Sequence, residues 1–397
     1  MNRLHILQIF ARYLHYGGEE GSVARIGGAL RDFHDIEYFS VATQDLLDRG
    51  MIGKAMLPLL ALHNPDAVRR LKKIQEKKRF DFWQIHNVFP AISPSAYSLA
   101  FKLGVPVIHY LHNYKFGCPT GFMFVKGREN RECIHGNFWP AIRDRSWHHS
   151  YFKTAVMAAA IFRARRLGIF DKVARWVAIS QAQKALCVEM GIPPDRIDVV
   201  PHFLEASAHP DLPPVPADGY GLFIGRLSEE KGLSCLLEAW AMLPRRHRLV
   251  VVGDGPALAD LRIQAARLGL TNVEFKGFVS REEHHRIWAG AAFSIVPSIW
   301  QEPFGMVVLE AWAKGRPVVA HNIGALPEIV DDGRTGFLAD PSQPSALAGV
   351  LLAAFDAGRD RLEEMGRAGV AELAAHYSKE QWTENINGVY RRAGLIG

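Results

Sequence analysis

The stretch Glu302-Pro-Phe-Gly-Met-Val-Val-Leu-Glu310 holds two carboxylates in different backbone settings. Pro303 keeps Glu302 out of helical geometry. A helix is predicted to start near Gly305 and run to about Lys314, stopped by Gly315 and Pro317. Its N-terminal N–H groups favour an anion, and Glu302 stands just ahead of them. Glu310, more than a turn along, can accept both hydrogen bonds of a vicinal diol such as a ribose. One short segment can therefore hold a sugar, a phosphate and a ribose in line, the outline of a nucleotide-sugar.

Upstream, Gly225-Arg-Leu-Ser-Glu-Glu-Lys-Gly232 follows an apolar run. Ser228 reads as an N-cap that places Lys231 in a first helical turn. Arg226 as a fork and Lys231 as a point charge can clamp a diphosphate; a solvated turn with a capping box is the alternative. Gly253-Asp-Gly-Pro256 invites a dinucleotide-loop reading, but Leu258 stands where the third glycine belongs, and a tight turn fits better. The segment Gly324-Ala-Leu-Pro-Glu328, with Asp332-Gly333 and Thr335-Gly336, reads as turn chemistry first and site lining second.

The first half offers Tyr16-Gly-Gly-Glu-Glu20 before a helix, where Gly17 and Gly18 would let backbone approach a ligand. His86-Asn87 ends one apolar run and His109-Tyr-Leu-His-Asn-Tyr-Lys-Phe-Gly-Cys-Pro119 spans the end of another. His112 is a candidate site residue by that position; His86 is open between a site role and a structural one. Cys118, Cys133 and His135 are three conceivable zinc ligands at poor spacing, and buried thiols are the better reading.

Strands and helices alternate around these groups. Strands are expected at 4–10, 38–41, 82–85, 105–110, 176–179 and 198–200, then at 221–224, 248–252, 273–275, 292–296, 317–320 and 336–338. Helices are expected between them, at 21–31, 65–77, 93–103, 181–190, 232–243, 256–268 and 281–289. The rhythm implies α/β architecture with parallel sheets covered on both faces. The proline-rich seam at 202–219 reads as a linker. The expected organisation is an N-terminal Rossmann-like domain (1–202), a linker (203–218), a second such domain (219–377) and a terminal helix (378–397). Ligands of such sheets bind at the carboxyl ends of the strands, so a site in a cleft between facing domains is expected.

At 397 residues the chain exceeds one ordinary core, and 48% hydrophobic with 22% charged residues is ordinary globular composition. The net charge of +6 favours anionic partners. No motif that reads DNA or RNA accompanies it, so nucleic acid is not expected. The four cysteines form no disulfide framework, which points to a reducing, cytoplasmic setting. The N-terminus has no signal-peptide core, and the apolar run 155–162 is far short of a membrane span. Two basic amphipathic stretches, at 69–79 and 152–170, suit either an anionic membrane surface or ordinary solvated helix faces.

Taken in order, Arg226/Lys231, Gly253/Gly255, the run Pro297 to Gly305, Glu310 and Gly324 to Glu328 closely resemble the donor-binding domain of retaining glycosyltransferases of family 4, of GT-B fold. The first half resembles the same family more weakly, through its His-Asn-Tyr and Cys-Pro run. The resemblance implies two doubly wound Rossmann-like domains facing across a cleft. It implies that Arg226 and Lys231 neutralise the donor diphosphate, that Glu310 holds the ribose, and that Glu302 binds hydroxyls of the transferred sugar. The N–H groups of Phe304, Gly305 and Met306 would help hold the sugar and distal phosphate, and His112 would lie against the sugar. It further implies front-face retaining transfer from a UDP- or GDP-sugar to a saccharide or lipid-linked acceptor, in polysaccharide or glycolipid assembly. With no Asp-x-Asp motif, neither metal nor other cofactor is expected. A phosphorylase-like enzyme would need a pyridoxal-phosphate lysine that nothing identifies. A non-catalytic nucleotide-sugar-binding or scaffolding subunit is the other alternative.

Overall fold

The short apolar runs of each half assemble into one parallel sheet. The computed structural model describes residues 3–12, 18–48, 50–205 and 213–397. The chain divides into two units, Met1–Pro201 with Thr383–Gly397, and His202–Trp382.

The first unit contains β1 (His5–Arg12), β2 (Asp35–Ala42), β3 (Phe82–Ile85), β4 (Val107–Tyr110), β5 (Arg175–Ala178) and β6 (Ile197–Val199). They lie in the order β2-β1-β3-β4-β5-β6, all parallel. The second unit repeats the plan with β7 (Tyr220–Ile224), β8 (Leu249–Val252), β9 (Val273–Gly277), β10 (Ala291–Val296), β11 (Val318–His321) and β12 (Gly336–Ala339). Their order is β9-β8-β7-β10-β11-β12, again parallel.

Burial explains the sequence pattern. Every residue of β3, β4, β8, β10 and β11 is buried, so these strands read as mostly apolar runs, broken only by the buried polar Gln84, His109, Ser294 and His321. The edge strand β9 instead alternates partly buried with exposed residues. Helices supply the covering layers. Gly18–Arg31 joins β1 to β2 and buries Val23, Ile26, Ala29 and Leu30, the spacing of one helical face.

The expected strands are found with ends shifted by a few residues at most. The helices Pro344–Asp356 and Gly358–His376 lie outside the expected ones, as does Gly50–Leu62, which forms despite Gly50, Gly53 and Pro58. It packs against the helix Tyr151–Arg166, so tertiary contact overrides local propensity there.

The expected linker also differs in its described parts. Buried Arg316 donates to the carbonyls of Pro213 (2.8 Å) and Pro214 (3.1 Å), and the N–H of Val215 donates to Glu363. Phe203 packs on Trp382 at 4.9 Å between ring centroids, and Leu204 N–H bonds Tyr377 O. Both ends of this segment are therefore fastened to the second unit. The terminal helix Lys379–Arg392 contributes Trp382 to the second unit, whereas Ile386 and Tyr390 lie in the part assigned to the first.

Candidate active site

In a doubly wound sheet, ligands gather at the carboxyl ends of the two strands where strand order reverses. In the second unit those strands are β7 and β10, and the loops that leave them carry the predicted residues. Lys231, just after β7, donates to Glu302 Oε2 at 2.7 Å across 71 positions of sequence. Ser298 Oγ and the Trp300 indole N–H donate to the same oxygen, each at 2.9 Å. Lys231 also lies over the Trp300 ring, 5.4 Å from its centroid. Glu302 is only 6% exposed, so its charge stands on these three donors.

Backbone approach forces the loops into this shape. A Cβ on Gly232 would collide with the Pro297 carbonyl, and one on Gly324 with the backbone of Glu302. Gly253 and Gly255 sit hard against the Gly225 and Leu227 carbonyls. Leu227 N–H donates to Asp254 O, and Ala257 N–H returns to Leu227 O. The Gly-Asp-Gly turn thus locks the arginine-bearing turn in place, and backbone packing accounts for both glycines.

Arg226 donates to Glu230 at 2.6 Å, and Ser228 Oγ donates to the same carboxylate oxygen at 2.6 Å. This corrects the N-cap expectation. Ser228 precedes a single 3₁₀ turn, Glu229–Lys231, and its hydroxyl makes no cap bond because it is committed to Glu230. The α-helix begins one residue beyond Gly232, at Leu233–Ala241. Burial alone would raise the Glu230 carboxyl, but the Arg226 charge, the Ser228 hydroxyl and Lys231 together hold it below its ordinary range. Sequence reading missed Glu230; its spacing to Arg226 was the available signal. It also missed His321, fully buried at the end of β11, whose Nδ1 meets the Ser298 carbonyl at 3.1 Å and steadies that loop. Burial pushes the His321 imidazole down.

The helix after Gly305 spans Met306–Trp312, shorter than expected at its far end. Gly305 is its N-cap with φ of 102°, a left-handed value suited to glycine. Phe304 is buried, with its ring edge-on to His202 (5.4 Å) and Tyr377 (5.9 Å). Met306 opens the helix. Glu310 is partly exposed, as are Met306 and Val307, while Val308, Leu309, Ala311 and Trp312 are buried. The structure thus joins Arg226 with Glu230 and Lys231 with Glu302, and sets Phe304, Gly305, Met306 and Glu310 along the next helix.

In the first unit the reversal falls between β1 and β3. Gly17 lies outside the described residues. Gly18 opens the helix Gly18–Arg31, exposed, with open space where a Cβ would stand. Glu19, which sequence reading passed over, is gripped there by two amides. Asn87 Nδ2, just after β3, donates to one carboxylate oxygen, and Asn113 Nδ2, after β4, donates to the other at 2.8 Å. Asn87 Oδ1 in turn accepts the Ala11 N–H at 2.8 Å, tying β1 to the loop.

His112 lies two residues beyond β4. Its Nε2 meets His86 Nδ1 at 2.8 Å, and the rings stack with centroids 5.1 Å apart. Burial pushes the His112 imidazole down to about 3; the residue as a whole is partly exposed, while its Nδ1 is buried. Lys115 is buried, donates to Pro119 O at 2.7 Å, and is pushed down by burial to about 8 against the opposing pull of Cys118 and Glu19. Cys118 and Cys133 are both buried and hydrogen-bond each other. Hydrogen bonds from Cys133 and Thr120 hold the Cys118 thiol low, which pushes Cys133 up. His135 does not join them: its ring is exposed and faces Glu189 at 3.5 Å.

Residues 16–207 match the model of Glycosyltransferase Family 4, and residues 219–356 that of Glycosyl transferases group 1. The chain belongs to the family 4, group 1 glycosyltransferases. It is 33% identical over 178 residues to an alpha-D-kanosaminyltransferase of Streptomyces kanamyceticus, covering 44% of this chain and 46% of that one. It is 26% identical over 365 residues to a D-inositol 3-phosphate glycosyltransferase of Paenarthrobacter aurescens, covering 86% and 82%. Across the first curated relatives matched, the chain spans only 33% to 48% of their length. The fold is that of GT-B glycosyltransferases. Anabaena Alr3699/HepE in complex with UDP superposes with a TM-score of 0.70 at 19% identity, over 98% of this chain and 100% of that one.

Proposed function

We propose that this family 4 glycosyltransferase moves a sugar from a nucleotide-diphospho-sugar, of UDP or GDP type, to a saccharide or lipid-linked acceptor with retention of anomeric configuration. The observation that carries the reading is the triple grip on Glu302 by Lys231, Ser298 and Trp300. It joins two distant motifs at the strand ends where a doubly wound sheet binds ligands. With Oε2 held by protein donors, Oε1 is the oxygen we assign to a hydroxyl of the transferred sugar.

Arg226 and Lys231 are the cations that the loops bring to this end of the sheet, each beside a carboxylate. We assign both to the donor diphosphate, where they would stabilise charge that builds as the phosphate leaves. Glu310 is assigned to the ribose, and the N–H groups of Phe304, Gly305 and Met306 to the sugar and distal phosphate. His112 is assigned as a neutral hydrogen-bonding group toward the sugar. In this scheme the leaving phosphate takes the acceptor's proton, and the charge-neutralising work of a metal falls to Arg226 and Lys231. We place the reaction in polysaccharide or glycolipid assembly.

A peripheral contact with anionic membrane is part of the proposal. The helix Tyr151–Arg166 exposes Tyr151, Phe152 and Phe162 beside Lys153, Arg163 and Arg166. No described helix is long and apolar enough to cross a membrane.

The test is to incubate the chain with UDP- and GDP-sugars and a panel of saccharide and polyprenyl-phosphate acceptors, then read the anomeric configuration of the product by NMR. A product that retains the donor's configuration supports the proposal; an inverted product overturns the retaining assignment. Tight nucleotide-sugar binding with no transfer to any acceptor favours the non-catalytic reading.

A further inference from the structure

The first unit carries a buried hydrogen-bond chain that ends on His112. Tyr390, on the terminal helix and fully buried, donates its hydroxyl to Gln84 Oε1 at 2.8 Å, across 306 positions of sequence. Gln84, fully buried in β3, reaches His86 Nε2 with its own Nε2 at 3.3 Å. His86, 2% exposed, meets His112 Nε2 through Nδ1 at 2.8 Å. These contacts form a line, Tyr390 to Gln84 to His86 to His112, through the apolar centre of the sheet.

Such a line has a direction. With Gln84 Oε1 accepting from the tyrosine, its amide nitrogen can only donate, so His86 Nε2 accepts. Neutral His86 then carries its hydrogen on Nδ1 and donates it to His112 Nε2. Neutral His112 in turn carries its hydrogen on Nδ1. Each bond polarises the next in a low-dielectric interior, which reinforces one direction over the other. Burial keeps His112 neutral over the working range of pH, so its tautomer, and not its charge, decides what it offers a substrate.

We propose that His86, Gln84 and Tyr390 are positioning residues that fix His112 as the Nδ1–H tautomer, a hydrogen-bond donor toward the sugar. The proposal deepens the functional reading above and rests on it for the link to transfer; the relay itself is testable without any transfer.

The measurement is long-range ¹H–¹⁵N correlation on the full chain labelled at histidine, with His112 assigned through His112→Gln. The expected spectrum shows His112 protonated on Nδ1 and bare on Nε2, and His86 likewise. Two near-isosteric variants separate positioning from bulk. His86→Asp offers only an acceptor, so His112 takes a hydrogen on Nε2, and kcat for transfer falls about tenfold or more. KM for the donor stays within about twofold, since the site's remaining contacts are intact. His86→Asn keeps an N–H at the same place and holds kcat within about threefold of the unaltered chain. If His86→Asp does not fold, Tyr390→Phe serves, because it frees Gln84 to turn over and His112 then shows mixed tautomers. An unaltered chain with His112 protonated on Nε2 overturns the relay. So does a tautomer unmoved in His86→Asp, or in Tyr390→Phe where that variant stands in. A switched tautomer with unchanged kcat overturns the positioning role. A chain that shows the expected tautomers but transfers nothing keeps the relay and contradicts the functional reading instead.

Discussion

The two sheets share a plan, and each gathers polar side chains at the carboxyl ends of the strands where its order reverses. The chemistry at those ends is opposite in kind. The second unit uses charge: Glu302 under Lys231 and Glu230 under Arg226, with short bonds and little solvent around the carboxylates. The first unit leans on neutral partners: amides that hold the Glu19 carboxylate, and imidazoles linked to an amide and a phenol. A charged knot is broken by removing one charge, because the partner is left buried and unmatched. A neutral network is broken by reversing one donor, because every hydrogen along it then points the wrong way. The first arrangement suits a leaving diphosphate. The second suits a sugar, which offers hydroxyls and no charge.

Changes in the charged unit should have the larger effects. Glu302→Ala strands Lys231 and removes the proposed sugar contact. Transfer should fall by about a thousandfold, and stability by about 2 kcal/mol, discounted because Lys231 keeps a quarter of its side-chain exposure. Initial rates and urea titration check both, and unchanged transfer would remove Glu302 from the site. Next comes Arg226→Ala, with an expected loss of about a hundredfold in kcat. Arg226→Lys should recover only part of it, because a point charge does not replace a fork. Full recovery would mean that Arg226 supplies charge alone.

Arg316→Met sharpens the comparison from outside the site. It takes the buried guanidinium donor away from the carbonyls of Pro213, Pro214 and Ala289, so stability should drop by about 1–3 kcal/mol while nucleotide affinity holds. Loss of affinity at full stability would refute a purely structural role.

The neutral unit should reveal itself mainly through pH. Folding holds His112 near 3 and pushes His109 well below 6.5, while the unfolded chain titrates at the ordinary value of 6.5. The unfolded state therefore binds more protons as pH falls below about 6.5. The stability from this neutrality is complete above that value and drains away as pH drops toward 3. His112→Asn should flatten part of the slope, and identical slopes by denaturant titration would show that His112 is not held neutral by the fold.

The same contrast explains what the sequence disclosed. Lys231 and Glu302 were legible because each sits in a motif whose flanking glycines and prolines dictate the loop. The strands were legible because a sheet covered on both faces leaves a mostly apolar run. Glu19 and Glu230 were not, since a lone glutamate acquires meaning only from the amides or guanidinium that the fold brings to it. Gln84 and Tyr390 lie too far apart for any local pattern to connect them, and each alone reads as strand or helix filler. The helix Gly50–Leu62 was hidden by glycines and a proline that its packing against Tyr151–Arg166 overrides.

The most direct test of the central claim is calorimetric titration of the full chain with UDP, GDP and ADP, alongside Glu310→Ala. The account predicts a clear preference for one nucleotide, UDP or GDP, weakened about tenfold or more in the variant as the ribose contact is lost. Binding of none of the three, or equal binding by both proteins, would contradict it.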